Sequence, residues 1–73
     1  MEIADRLAQL LPHWVEHNDS HLQQLEDWAK QARAAGMGEV AALIEAAGRS
    51  IKQANAELAE AQARLEGERS SPC

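Results

Sequence analysis

Hydrophobic side chains recur every three or four residues along most of the chain, which is the spacing of one face of an α-helix. No segment alternates apolar and polar residues as a half-buried strand would. The pattern predicts helices over about residues 2–10, 12–35 and 39–66. The fold class is therefore predicted to be all-α.

Proline and glycine set the predicted boundaries of these helices. Pro12 lacks a backbone donor and disfavours helical geometry in the residue before it, so we expect a kink or short break there. Gly36 and Gly38 enclose a short turn. Gly67 is expected to end the last helix, which leaves 68–73 as a disordered tail.

The two long helices each carry one apolar stripe. The stripe of the middle helix is Leu11, Trp14, Val15, Leu22, Leu25, Ala29 and Ala32. The stripe of the last helix is Val40, Leu43, Ile44, Ala47, Ile51, Ala54, Leu58, Ala61 and Leu65. A short turn makes the two helices antiparallel, so residues 1–67 are predicted to form a single helical hairpin. Both tryptophans, Trp14 and Trp28, are interpreted as core residues.

A hairpin of this kind buries little apolar surface. The chain has 73 residues and contains neither Phe nor Tyr, and alanine is frequent in its last helix. Two helices with small side chains leave the edges of their apolar stripes exposed to solvent. Pairing two hairpins into a four-helix bundle is the simplest way to bury these edges. We therefore expect a homodimer. The alternative is a monomer in which the first helical segment folds back as a third element.

Charge and cysteine content limit the classes of partner. The formal net charge is −5 at pH 7, and the basic residues are spaced singly among acidic ones, which argues against nucleic acid and anionic membranes as partners. An unidentified protein partner stays possible on this composition. Cys73 is the single cysteine and excludes an intramolecular disulfide, so we expect a cytoplasmic location, with a mobile terminal thiol or a crosslink between chains as its role.

All three histidines fall within one short segment of the middle helix. His13, His17 and His21 follow each other at spacings of four, so either neighbouring pair could bind one metal ion through its imidazoles. His13 and His21 are about 12 Å apart along the axis, too far to share an ion. Antiparallel pairing brings Glu57 near the level of His17, which makes Glu57 the candidate carboxylate ligand.

Two interpretations of this segment remain open. In the first, Asn18, His21 and Asn55 form a buried hydrogen-bond network that fixes register and partner choice. In the second, one neighbouring pair, either His17 with His21 or His13 with His17, binds one transition-metal ion (Zn, Ni, Co or Cu) together with Glu57. Both interpretations describe a non-enzymatic, self-associating helical module.

A catalytic alternative rests on five letters of sequence. His13, Glu16 and His17 match the H-x-x-E-H pattern in which two histidines hold zinc and a glutamate activates water. A peptidase also needs a further ligand and a cleft for extended peptide, and a helical hairpin offers no strand to pair with substrate. We therefore predict that the protein is not an enzyme.

The run Leu10-Leu11-Pro12-His13-Trp14-Val15-Glu16-His17-Asn18, followed by His21 and then by Trp28-Ala29, carries a family resemblance. It resembles small prokaryotic helical domains with an "LLPHWxEHN" signature, which are classed as domains of unknown function. The resemblance covers about residues 7–65. It implies a genuine helical module and transfers no activity.

Overall fold

A computed structural model describes residues 2–69 of the chain, and these residues form two long helices joined by a tight turn. Helix α1 spans Glu2–Ala34 and helix α2 spans Gly38–Arg69. The helices pack antiparallel along their length, which confirms the predicted all-α hairpin. The hairpin is a rod of 59 × 14 × 12 Å, with a radius of gyration of 16.7 Å. A compact domain of this size would have a radius of gyration of about 11 Å.

Helix α1 runs through Pro12 without interruption, so the predicted break and the separate first helix were wrong. Proline removes one backbone hydrogen bond and crowds the preceding turn. That cost is offset by packing, because the residue before the proline, Leu11, packs against α2 and is only 5% exposed. The ring itself lies on the solvent side of the helix. Tertiary contact therefore holds Leu11 in the helical conformation that a following proline disfavours.

The turn ends α1 with a glycine in the left-handed conformation. Gly36 has φ of 84°, and its N–H donates to the carbonyl oxygen of Arg33 at 3.1 Å. The N–H of Met37 donates to the carbonyl oxygen of Ala32 at 2.8 Å. This pair of bonds is the Schellman motif, which satisfies carbonyls that the end of the helix would otherwise leave open. The predicted boundary at Gly36 is confirmed.

The last helix is longer than its sequence predicts. Helix α2 continues through Gly67 to Arg69, because a glycine in a helix interior is a modest cost of about 1 kcal/mol and not a stop signal by itself. Residues 68 and 69 are therefore helical and do not belong to a disordered tail. The rest of that predicted tail, with Cys73, lies outside the described residues.

In each helix, the residues that face the opposite helix recur in alternating steps of three and four, which is the 3.5-residue period of a coiled coil. We call them the inward residues. In α1 the inward residues are Ala4, Ala8, Leu11, Val15, Asn18, Leu22, Leu25, Ala29 and Ala32. In α2 they are Ala41, Ile44, Gly48, Ile51, Asn55, Leu58, Gln62 and Leu65. A strict 3.5-residue repeat implies a left-handed supercoil.

Half of the stripe predicted for α2 was therefore wrong. Val40 and Leu43 are 48% and 73% exposed, and Ala47 and Ala61 are exposed as well. In this half of the stripe, each predicted inward residue is replaced by the residue that follows it in the sequence, so that Gly48 faces inward in place of Ala47 and Asn55 in place of Ala54. Turning α2 to bury the more hydrophobic set would move Asn55 away from Asn18, whose amide would then lack a partner at a cost of about 1–3 kcal/mol.

The core is thin, as its composition predicts. Among the described residues, the buried hydrophobic side chains are Leu11, Ala29 and Ala41, and no large side chain is fully buried. Trp14 and Trp28 are 41% and 61% exposed, so their interpretation as core residues does not hold within one hairpin. Over residues 2–69 neither helix contains a stretch apolar enough, over a sufficient length, to cross a membrane.

Candidate functional site

The exposed large hydrophobic residues of both helices lie on one side of the hairpin. Each of them comes immediately before an inward residue: Ile3, Leu10, Trp14, Trp28, Val40 and Leu43. In an antiparallel pair, the positions before the inward residues of both helices turn towards the same broad side. We call this side, together with His17 and His21, which also precede inward residues, the apolar face.

The opposite broad side is charged. Its residues follow the inward positions, and ion pairs cross from one helix to the other there. Arg33 binds Glu45 at 2.7 Å, and Lys52 lies 3.8 Å from Glu26. All four side chains are about half exposed, so each pair contributes little to stability, about 0–1 kcal/mol. They distinguish this charged side of the rod from the side that carries the exposed hydrophobic residues.

A polar layer interrupts the apolar packing near the middle of the hairpin. The Asn18 side-chain amide donates to Oδ1 of Asn55 at 3.0 Å, and the Asn55 amide donates to Oδ1 of Asp19 at 2.8 Å. Both asparagines are half-buried. Asp19 was missed by sequence reasoning, although its place beside an inward asparagine was a usable signal. A polar pair facing across the helices fixes their alignment, since any slip leaves both amides unpaired.

His21 does not join this layer, although the sequence suggested that it would. It lies on the apolar face, where its Nε2 is 3.1 Å from Nε2 of His17, one turn earlier on the same helix. The two rings meet edge to face, with centroids 4.6 Å apart and planes at 80°. One ring must donate the N–H and the other accept it. Both histidines are exposed.

The other predicted ligands are not brought to this pair within one chain. His13 lies further round α1, on its solvent side, and Glu57 accepts a hydrogen bond at 3.3 Å from Gln53 of its own helix. Within residues 2–69, no three His, Cys, Asp or Glu side chains converge on a point that could hold a metal ion. A single hairpin therefore brings together one of the two predicted histidine pairs, His17 with His21, without the predicted carboxylate ligand, Glu57.

A family model matches residues 7–65, which include the polar layer, both histidines of the pair and most of the apolar face. It is described as Domain of unknown function (DUF8180). The chain belongs to this family. No curated protein and no solved structure matches the chain.

The DUF8180 match begins at Leu7 and ends at Leu65, so it leaves out the first turn of α1 and the last turn of α2. The matched segment contains the complete turn and every cross-helix contact described above. The family match therefore covers the part of the hairpin that carries the polar layer, the histidine pair and the ion pairs.

Proposed function

We propose that the chain is a non-enzymatic, self-associating module in which the apolar face of one hairpin packs against that of a second copy to form a four-helix bundle. The observation that carries the proposal is the segregation of exposed hydrophobic residues. The six that define the apolar face lie on a single side, while the other side carries the ion pairs that cross between the helices. Contiguous apolar patches of this kind mark association surfaces.

The size of the face suits a dimer. A side 59 Å long and 14 Å wide has a flat area of roughly 800 Å², which is what each partner buries in an interface of standard size. The hairpin on its own keeps Trp28 at 61% and Leu43 at 73% exposure. Covering these side chains would supply the apolar burial that the thin core lacks.

The charge distribution favours a second copy over a charged partner. The chain carries a net charge of −5, yet between Ile3 and Arg64 the apolar face holds only two charged residues, Glu57 and Arg64. Arg64 is already paired with Glu60 at 2.9 Å. Two copies can thus meet on this side with little electrostatic repulsion, because their acidic residues other than Glu57 lie at the outer surface of the bundle.

The sizes of the side chains indicate how the copies align. On the apolar face, α1 presents bulky residues, Trp14, His21 and Trp28, at seven-residue intervals. At the same intervals α2 presents mostly small ones, Val40, Ala47, Ala54 and Ala61. A twofold axis along the rod places α1 of each copy on α2 of the other. The bulky side chains then fall between the small ones, as knobs fit holes.

The polar layer has a structural role in this proposal. The bond between Asn18 and Asn55 holds each hairpin in one alignment, and that alignment keeps the bulky and small residues of the apolar face at matching levels. The layer therefore supports specific association without supplying chemistry.

A second candidate function is transition-metal binding, and one observation favours it. Two imidazole nitrogens that share a tetrahedral ion at about 2.0–2.1 Å stand about 3.3 Å apart. The Nε2 atoms of His17 and His21 stand 3.1 Å apart. The distance between the two nitrogens is therefore close to the distance that bidentate binding requires.

The test of self-association compares two neighbouring substitutions. Leu43→Glu adds a charge to the apolar face, and Ala42→Glu adds the same charge one position away, on the charged side. We expect sedimentation equilibrium at micromolar concentration to give a dimer for the unchanged chain and for Ala42→Glu, and a monomer for Leu43→Glu. Circular dichroism should show both variants helical. A folded monomer for the unchanged chain across this range would refute the proposal.

A further inference from the structure

The His17–His21 pair lies near the centre of the apolar face, among its exposed hydrophobic residues. The two histidines flank the midpoint of α1, with Leu10 and Trp14 on one side and Trp28 on the other. Their Nε2 atoms lie 3.1 Å apart, and neither ring takes part in the Asn18 layer. A second hairpin placed over the apolar face would cover them, and a covered imidazole needs a polar partner or a ligand.

Resting on the proposed dimer, we infer that His17 and His21 of one copy and Glu57 of the second copy form a transition-metal site, repeated twice per dimer. Two imidazoles and a carboxylate are a ligand set that suits zinc, cobalt, nickel or copper, and they leave a position for water. The site is incomplete in one chain. Over residues 2–69 of one chain no third ligand converges on the pair, so the second copy has to supply it.

The position of Glu57 on α2 singles it out as the third ligand. Asn18 lies opposite Asn55, so Glu57, two residues further along α2, is level with residue 16 of α1. It differs from His17 by about 1.5 Å in height along the rod. Glu57 and His17 both precede inward residues, Leu58 and Asn18, so both belong to the apolar side. With α1 of one copy lying on α2 of the other, the two side chains meet at the edge of the interface.

The protons balance simply. In the metal-free hairpin one Nε2 carries the hydrogen that the other accepts. For a metal ion to bind between the rings, the donating ring shifts that hydrogen from Nε2 to Nδ1, which gives its other neutral tautomer. Each ring then binds through an Nε2 lone pair and carries one hydrogen on Nδ1. Glu57 binds as a carboxylate and gives up its bond from Gln53, which is exposed and can turn to water.

The experiment titrates the untagged full chain with Co²⁺ and Zn²⁺. Calorimetry gives affinity and stoichiometry, the visible spectrum of Co²⁺ reports four-coordinate geometry, and sedimentation gives the oligomeric state with and without metal. His17→Ala and Glu57→Gln remove proposed ligands. His13→Ala and Glu60→Gln are the matched controls, because both residues lie off the apolar face.

We expect one ion per chain, which is two per dimer, with affinity reduced at least about 100-fold by His17→Ala and unchanged in either control. Glu57→Gln should also weaken binding and alter the Co²⁺ spectrum. One ion per two chains, or binding that survives Glu57→Gln, would overturn the site. A dimer that binds no metal would overturn this inference alone, whereas a monomer under all conditions would overturn the proposed dimer as well.

Discussion

Gly36 is the residue whose backbone conformation the hairpin depends on most. Its φ of 84° is open to glycine and strained for other residues, although a side chain there would meet nothing within 4 Å. We therefore expect Gly36→Ala to lower the free energy of unfolding by about 1 kcal/mol. Gly67→Ala is the control, since Gly67 is helical with equally open surroundings, and it should raise stability by up to about 1 kcal/mol. Urea unfolding measures both, and equal effects of the two changes would contradict this account.

The asparagine pair is expected to trade stability for alignment. Replacing both Asn18 and Asn55 by leucine substitutes apolar packing for a half-buried polar layer, and should raise the free energy of unfolding by about 1–2 kcal/mol. Asn18→Leu alone should gain less, because it leaves the Asn55 oxygen without its donor.

The same double variant should lose its unique alignment. We expect amide NMR spectra of the double variant to contain extra peaks from hairpins that have slipped, whereas the unchanged chain gives one set. A double variant that is less stable than the unchanged chain, with a single set of peaks, would show that the layer contributes stability and not specificity.

At the scale of the helix, Pro12 lowers the stability of α1, and packing of the helix against α2 offsets this loss. It removes one hydrogen bond from the middle of an uninterrupted 33-residue helix. Because Pro12 is exposed, replacing it disturbs no core contact. Pro12→Ala should raise the free energy of unfolding by about 1–3 kcal/mol, measured by urea or thermal unfolding. A loss of stability would mean that the proline ring itself makes a needed contact, for example in the dimer.

Helix α2 shows why one helix can present two competing faces. Its positions 44, 51, 58 and 65 face inward under either choice of stripe. The two choices differ in the other inward positions, which are 40, 47, 54 and 61 in the predicted stripe and 41, 48, 55 and 62 in the structure. The more hydrophobic of these, including Val40 and Ala47, are left outside. Gly48 is taken inside, where its backbone lies so close to α1 that an added Cβ would stand 3.2 Å from a Leu22 methyl. The outer set is thereby free for a second hairpin.

At the scale of the molecule, the two tryptophans report association directly. Both lie on the apolar face, at 41% and 61% exposure, and no other Trp or Tyr is present. If dimers form, dilution to the nanomolar range should shift tryptophan emission to longer wavelength as the rings become wet, and the melting temperature should fall with concentration. Leu43→Glu should show the shifted emission at every concentration, and Ala42→Glu should follow the unchanged chain. Emission independent of concentration would count against the dimer.

Sequence alone determined the features that depend on a residue and its near neighbours. The 3.6-residue periodicity gave two long helices, Gly36 gave the end of the first, and the position of Asn18 within an apolar stripe placed it between the helices. These are local properties, set by backbone geometry and by the pattern of polarity along one helix.

Only the tertiary structure decided the features whose energy depends on the opposite helix. Packing of Leu11 carried α1 through Pro12, and the need of Asn18 for a partner chose which stripe of α2 faces inward. That choice left Val40 and Ala47 of α2 on the same side as the exposed bulky residues of α1. Rotating a helix by one residue costs no free energy while the helix is isolated, but it breaks several contacts once the helix is packed against its partner. Rules that consider one helix alone could therefore not predict these outcomes.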